Sequence, residues 1–217
     1  MTRAGRALLL ALALSSASLA HADDGCTLQL GHGWPPATEN HGSAAEQVLI
    51  GDASPALSLT WLPKRGAEQS LMLLRPADGG DWTLRHAEAP ERIDSWDTGG
   101  SGLKRILRID QEPELREVPM PAMLATRVFD GWQRALQAGV PADRVAEFHD
   151  DELLLFVIDG ERVSGLEPGC GAGEVLMEQA EQLIEAADEE DADDRLDHWD
   201  DLDRSLDELH DALASGN

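Results

Sequence analysis

Through the first half of the chain, apolar residues come in short runs that alternate with polar ones. This is the period of two that arises when successive strand side chains point to opposite faces. Leu57, Leu59 and Trp61 alternate with Ser58 and Thr60, Leu71 to Leu74 form a brief apolar run, and Trp82 and Leu84 alternate after the turn sequence Asp78-Gly79-Gly80. Leu103, Arg105, Leu107 and Ile109 follow the glycine-rich loop Thr98 to Gly102 and read as a further strand. From Cys26 to about Arg108 the chain therefore reads as short strands in an antiparallel meander.

The period changes after Pro119-Met120-Pro121. Pro121 suits a first helical position, and Leu124, Val128, Trp132 and Leu136 recur every four residues to form one apolar ridge, with Gly131 off it. Next come Leu153 to Ile158, Asp159-Gly160, then Glu161 to Leu166. An Asp-Gly pair supplies the positive dihedrals of a tight hairpin. Helical spacing returns after Gly173 with Val175, Leu176, Ala180, Leu183 and Ile184, and ends near Ala187. Beyond it Trp199, Leu202, Leu206, Leu209 and Leu213 take steps of three and four residues, with Asp200, Asp201, Arg204, Asp207, Glu208 and Asp211 opposite.

These patterns predict an α+β fold: a mostly antiparallel sheet of about six to eight strands, one face packed on two helices, with an acidic amphipathic C-terminal helix. Residues 23–187 are expected to form a single α+β domain and residues 188–217 an acidic helical segment. The Trp199 stripe has three competing destinations: its own domain, a second copy, or a groove on another protein rimmed by Lys or Arg. Homodimerisation is the least favoured, because two heptads are short for a coiled coil and acidic flanks such as Asp203 repel a copy.

Residues 1–22 have a different character. Arg3 and Arg6 precede the apolar run Ala7 to Leu14 and the small-residue end Ala20-His21-Ala22, a secretory signal with cleavage expected before Asp23. A periplasmic or secreted location follows. Asp23-Asp24-Gly25 before Cys26 does not fit a lipoprotein signal, and Arg3 and Arg6 are not the adjacent pair of a twin-arginine signal. No later stretch approaches the uncharged apolar length of a membrane span. In an oxidising compartment Cys26 and Cys170, the only cysteines, are expected to form one disulfide. Closing so long a loop stabilises by about 5 kcal/mol in the chain-entropy treatment.

Charge narrows the partners. The full chain carries a formal −25, and removing Arg3 and Arg6 with the leader makes it −27. Nucleic acid is excluded as a partner for want of a positive footprint, and a cationic protein is permitted. Between Glu185 and Asp211 fourteen acids face only Arg195 and Arg204.

Motifs that carry chemistry are sparse. Asp97-Thr98-Gly99 matches the short signature around the aspartate of aspartic proteases, but it lacks a second carboxylate and the apolar strand that should precede it, so a glycine-rich turn is the expectation. Ser101 in Gly99-Gly100-Ser101-Gly102-Leu103 misses the nucleophile-elbow spacing. Gly169, Gly171 and Gly173 lack the Lys or Ser/Thr of a phosphate loop and lie between Glu167 and Glu174. The mature histidines His32, His41, His86, His149, His198 and His210 have no zinc-ligand spacing, although His32 and His41 are able to meet across a loop with Glu39. Asp191, Asp193 and Arg195 depart from a calcium loop at its fifth position. Trp34, beside Pro35 and Pro36, is expected to anchor an N-terminal crossing rather than form a surface epitope.

No catalytic, metal-binding or cofactor-binding residue is assigned, and no cofactor is expected. The leading expectation is a soluble exported acidic protein that acts as a binding or regulatory module for a cationic partner. The alternatives are an extracytoplasmic hydrolase whose carboxylates meet only on folding, and a structural or metal-buffering acidic protein.

Overall fold

The computed structural model describes residues 28–98 and 102–215. Residues 1–27, which include the expected leader and Cys26, and residues 99–101 and 216–217 lie outside the described residues. In chain order the elements begin with β1 (Leu30–His32), α1 (Glu39–Leu49), β2 (Leu57–Leu62), β3 (Gln69–Leu74), β4 (Trp82–Glu88), β5 (Asp94–Asp97) and β6 (Lys104–Leu107). They continue with β7 (Glu114–Met120), α2 (Ala122–Gly139), β8 (Leu153–Ile158), β9 (Glu161–Gly165), α3 (Gly171–Asp188) and α4 (Asp194–Ser215). The fold is α+β, with a seven-stranded sheet in the order β1-β9-β8-β2-β3-β4-β7 and β5-β6 as a separate two-stranded sheet. All named strand pairs are antiparallel.

Local chemistry explains the best-formed pieces. The β8-β9 turn has Asp159 at φ 48° and Gly160 at φ 81°, the pair of left-handed conformations that brings two twisted strands together through two residues. This hairpin does not sit beside its chain neighbours. β8 pairs with β2 from Leu57 against Ile158 to Leu62 against Leu153, which makes β2 central and buries it on both faces. Leu57, Leu59 and Trp61 join one core, and Leu62 joins the other.

The larger core lies between the sheet and α2, α3 and α4. Trp132 of α2 meets Phe156 of β8 edge to face with ring centroids 5.9 Å apart, and Trp82 of β4 lies 6.3 Å from Phe129. α4 packs on both α2 and α3. Gly131 permits that approach, because a Cβ there would sit 3.2 Å from Leu209. A buried polar chain sets the register of the three helices: Trp132 Nε1–H donates to Gln179 Oε1 at 2.8 Å, and Gln179 Nε2–H donates to Ser205 Oγ at 3.1 Å.

The sheet is covered on its second face as well, by α1 with Ala44, Ala45, Val48 and Leu49 against Met72, Ala87, Ile93 and Leu153. This corrects the expectation of a strand-only N-terminal half and of helices on one face only. The helix escaped the pattern because two of its four apolar positions, Ala44 and Ala45, are alanines and Gly42 lies within it. Gly42 is needed there: a Cβ would sit 2.2 Å from the ring of Trp34, which packs across the helix as an anchor. β6 is likewise shorter than its alternation predicts, so Leu103 and Ile109 fall outside it and are exposed.

Candidate functional site

The acidic C-terminal helix is part of the body. Trp199, Leu202, Leu206 and Leu209 are each less than a tenth exposed and belong to the main core, with Leu213 packed against it. Of the three destinations open to the stripe, its own domain is the one observed. The physical reason is a difference of scale. Each buried large side chain contributes about 1.5–3 kcal/mol, whereas like-charge repulsion on a helix surface costs only about 0.2–0.5 kcal/mol per pair. The stripe therefore offers no free apolar face to a partner, while the acids remain outside.

That outer surface is strongly one-signed. On α3, Glu174, Glu178, Glu181 and Glu185 are exposed at helical spacing, and the helix contains no basic residue. On α4, Arg127 of α2 holds Asp203 and Asp207, the latter at 2.7 Å, and Arg204 holds Asp201 at 2.8 Å. Asp194, Asp197, Asp200, Glu208 and Asp211 form no ion pair among the described residues.

A second location is concave. A pocket of about 250 Å³ opens between the C-terminal end of α2, β1 and the β8-β9 hairpin. Leu136, Val140, Ile158 and Val163 give it apolar walls, and His32, Glu161, Gln133 and Gln137 give it polar ones. His32 Nδ1 lies 3.5 Å from a Glu161 carboxylate oxygen, and His32 Nε2 is buried with no hydrogen-bond partner.

His41 lies elsewhere, on α1, so the expected meeting of His32, His41 and Glu39 does not occur. Its partner is Glu68, which is fully buried and 2.7 Å from His41 Nε2. A carboxylate only accepts, so Nε2–H is the donor. Ile93 and Asp94 backbone N–H groups donate to the same carboxylate at 2.7 and 3.2 Å, and Arg105 grips Asp94 through two nitrogens at 2.7 and 3.1 Å. Burial pushes the Glu68 carboxyl upward, but the hydrogen bonds from His41, Ile93, Asp94 and its own backbone together outweigh it and hold the group below its ordinary 4.5. The cluster anchors the base of the β5-β6 hairpin, and its members, separated along the chain, follow no spacing rule.

The remaining sequence candidates take structural positions. Gly171 has φ 57°, and a Cβ on Gly173 would sit 2.4 Å from Pro168 and 2.6 Å from Leu28, so these glycines serve a turn and close packing. Cys170 caps α3 and is not a free thiol; its expected partner Cys26 lies outside the described residues. Asp97 is exposed in β5, and Gly99 and Ser101 lie outside the described residues. Asp191 accepts the backbone N–H of Asp193 at 2.8 Å, a local turn. Among the described residues no group of three or more His, Cys, Asp or Glu is placed to hold a metal ion, and no helix is long and apolar enough to cross a membrane.

Glu152 has an environment unlike that of Glu68. Burial first, then the charges of Glu167 and Asp151, push its carboxyl above the ordinary value. The sequence carried no signal for this site. Compared with known proteins, the chain matches no family model, no curated protein and no solved structure.

Proposed function

We propose that this protein is an exported binding or regulatory module, clasped by a Cys26 to Cys170 disulfide, that engages a cationic protein partner through the outer faces of α3 and α4. The observation that carries the reading is the row Glu174, Glu178, Glu181 and Glu185 on a helix without a single basic residue, beside a second helix whose unpaired acids are held in place by a buried stripe. Carboxylates carried on an already folded helix raise the encounter rate with a positive partner without a backbone-ordering cost at binding.

The test is capture from an envelope extract at low and high salt, comparing the wild-type protein with two quadruple variants. One carries Glu174, Glu178, Glu181 and Glu185 as Gln. The control carries Asp52→Asn, Asp81→Asn, Asp110→Asn and Glu112→Gln, which removes the same charge from other exposed sites. Loss of the salt-sensitive partner in the first and retention in the control support the proposal. Equal loss in both reduces it to general acidity.

A hydrolase is the second reading, with Glu152, whose carboxyl is raised by burial and by the charges of Glu167 and Asp151, as its candidate acid. Turnover on a glycoside and peptide panel that disappears in Glu152→Gln would replace the first reading.

A further inference from the structure

We infer that the pocket beside β1 binds a small monocationic amine with an apolar body of about ten non-hydrogen atoms. Size comes from volume: a cavity of about 150 Å³ accommodates benzene, and this one is about 250 Å³. Charge comes from the lining, where Glu161 is the carboxylate and no Lys or Arg contributes. An anion would face Glu161 within a chain of formal charge −25. A diamine would have to bury its second charge against Leu136 and Val140.

Hydrogen-bonding capacity separates this pair from the other histidine contacts. His86 has partners for both ring nitrogens, in Asp188 and Gln69, and His41 is bound at 2.7 Å to Glu68. The His32 to Glu161 separation of 3.5 Å is longer than a normal N–H···O bond, and Glu161 is 62% exposed, so its oxygens are not saturated by the fold. An ammonium group carries three donors; Glu161 takes one, and Gln133 and Gln137, whose side chains each carry an acceptor oxygen, line the same pocket. The pocket is built from β1, α2 and the β8-β9 hairpin, so this inference stands independently of the role proposed for α3 and α4.

The experiment is calorimetry on the mature protein with phenethylammonium, 2-phenylethanol and 3-phenylpropanoate at about 150 mM salt. Phenethylammonium is expected to bind saturably, with the alcohol and the acid each weaker by about tenfold or more. Glu161→Gln is expected to remove that preference for the amine. Ala142→Trp fills the mouth from an exposed lining position and is expected to abolish binding while the melting temperature holds; Gln137→Trp is the substitute should that variant unfold. Equal affinity for amine and alcohol, or an undiminished preference in Glu161→Gln, would overturn the inference. Binding that survives both plugs and fades with salt would assign the amine to the acidic helices instead, and no saturable heat up to about 10 mM would also refute it.

Discussion

Replacing Glu68 with glutamine tests whether the buried carboxylate holds the β5-β6 hairpin to the body. The wild-type group accepts from His41, Ile93 and Asp94, and it is fully buried. Glutamine keeps one acceptor oxygen and turns the other into a donor facing a donor. Hydrogen bonds to a charged group are each worth about 1.5–3 kcal/mol, and an orphaned buried donor costs about 1–3 kcal/mol, so losing roughly one such bond and orphaning one donor costs about 3 kcal/mol at neutral pH. For a domain of this size that lowers the melting temperature by roughly 6–12 °C. The pH dependence has a defined sign: the folded-state pKa of Glu68 is below its ordinary 4.5. Its contribution is therefore complete above the unfolded value and is lost as pH falls through the folded value. Urea unfolding of both proteins from about pH 7 down to about pH 3 should show the stability gap narrowing once pH drops below the ordinary carboxyl value. A gap under about 0.5 kcal/mol at neutral pH, or one unchanged in acid, would refute the reasoning.

Leu202→Ala, at a site 1% exposed, should cost about 2–5 kcal/mol in denaturant unfolding, whereas Leu196→Ala, at an exposed site on the same helix, should cost little. Gln179→Leu leaves the Trp132 indole N–H and the Ser205 hydroxyl without their partner, and should lower stability by about 2–4 kcal/mol as read by thermal melting. Gly160→Val places a β-branched residue at φ 81° and should weaken the β8-β9 hairpin by more than about 1 kcal/mol, with hydrogen exchange accelerated first in β9. Under the proposed export, non-reducing peptide mapping of the protein should recover Cys26 and Cys170 in one cross-linked peptide.

Legibility in the sequence followed the range of the cause. The Asp159-Gly160 hairpin and the four-residue ridge of Leu124, Val128, Trp132 and Leu136 are set by neighbours in the chain, and both were readable from the pattern. The Trp199 stripe announced a helix, but its destination depends on Gly131 and Gln179 in other helices, which no local pattern encodes. α1 was hidden because Gly42 answers to the Trp34 ring rather than to helix propensity, and two alanines leave only a weak apolar stripe. The pocket draws His32, Gln133 and Glu161 from three distant segments, and Glu68 meets His41 across 27 positions, so neither site leaves a spacing to read.

The position of β2 has a cost during folding. β3 reaches its side early through a short connection, but its opposite edge, Leu57 to Leu62, waits for β8, which lies beyond β3 to β7 and α2 in the chain. Until residues 153–158 arrive, the middle of the future sheet is an unpaired apolar margin, the kind of template on which chains self-associate. Productive folding therefore depends on how quickly one late ribbon closes an early seam, and crowding of half-finished chains is the condition under which this protein should be lost to aggregation.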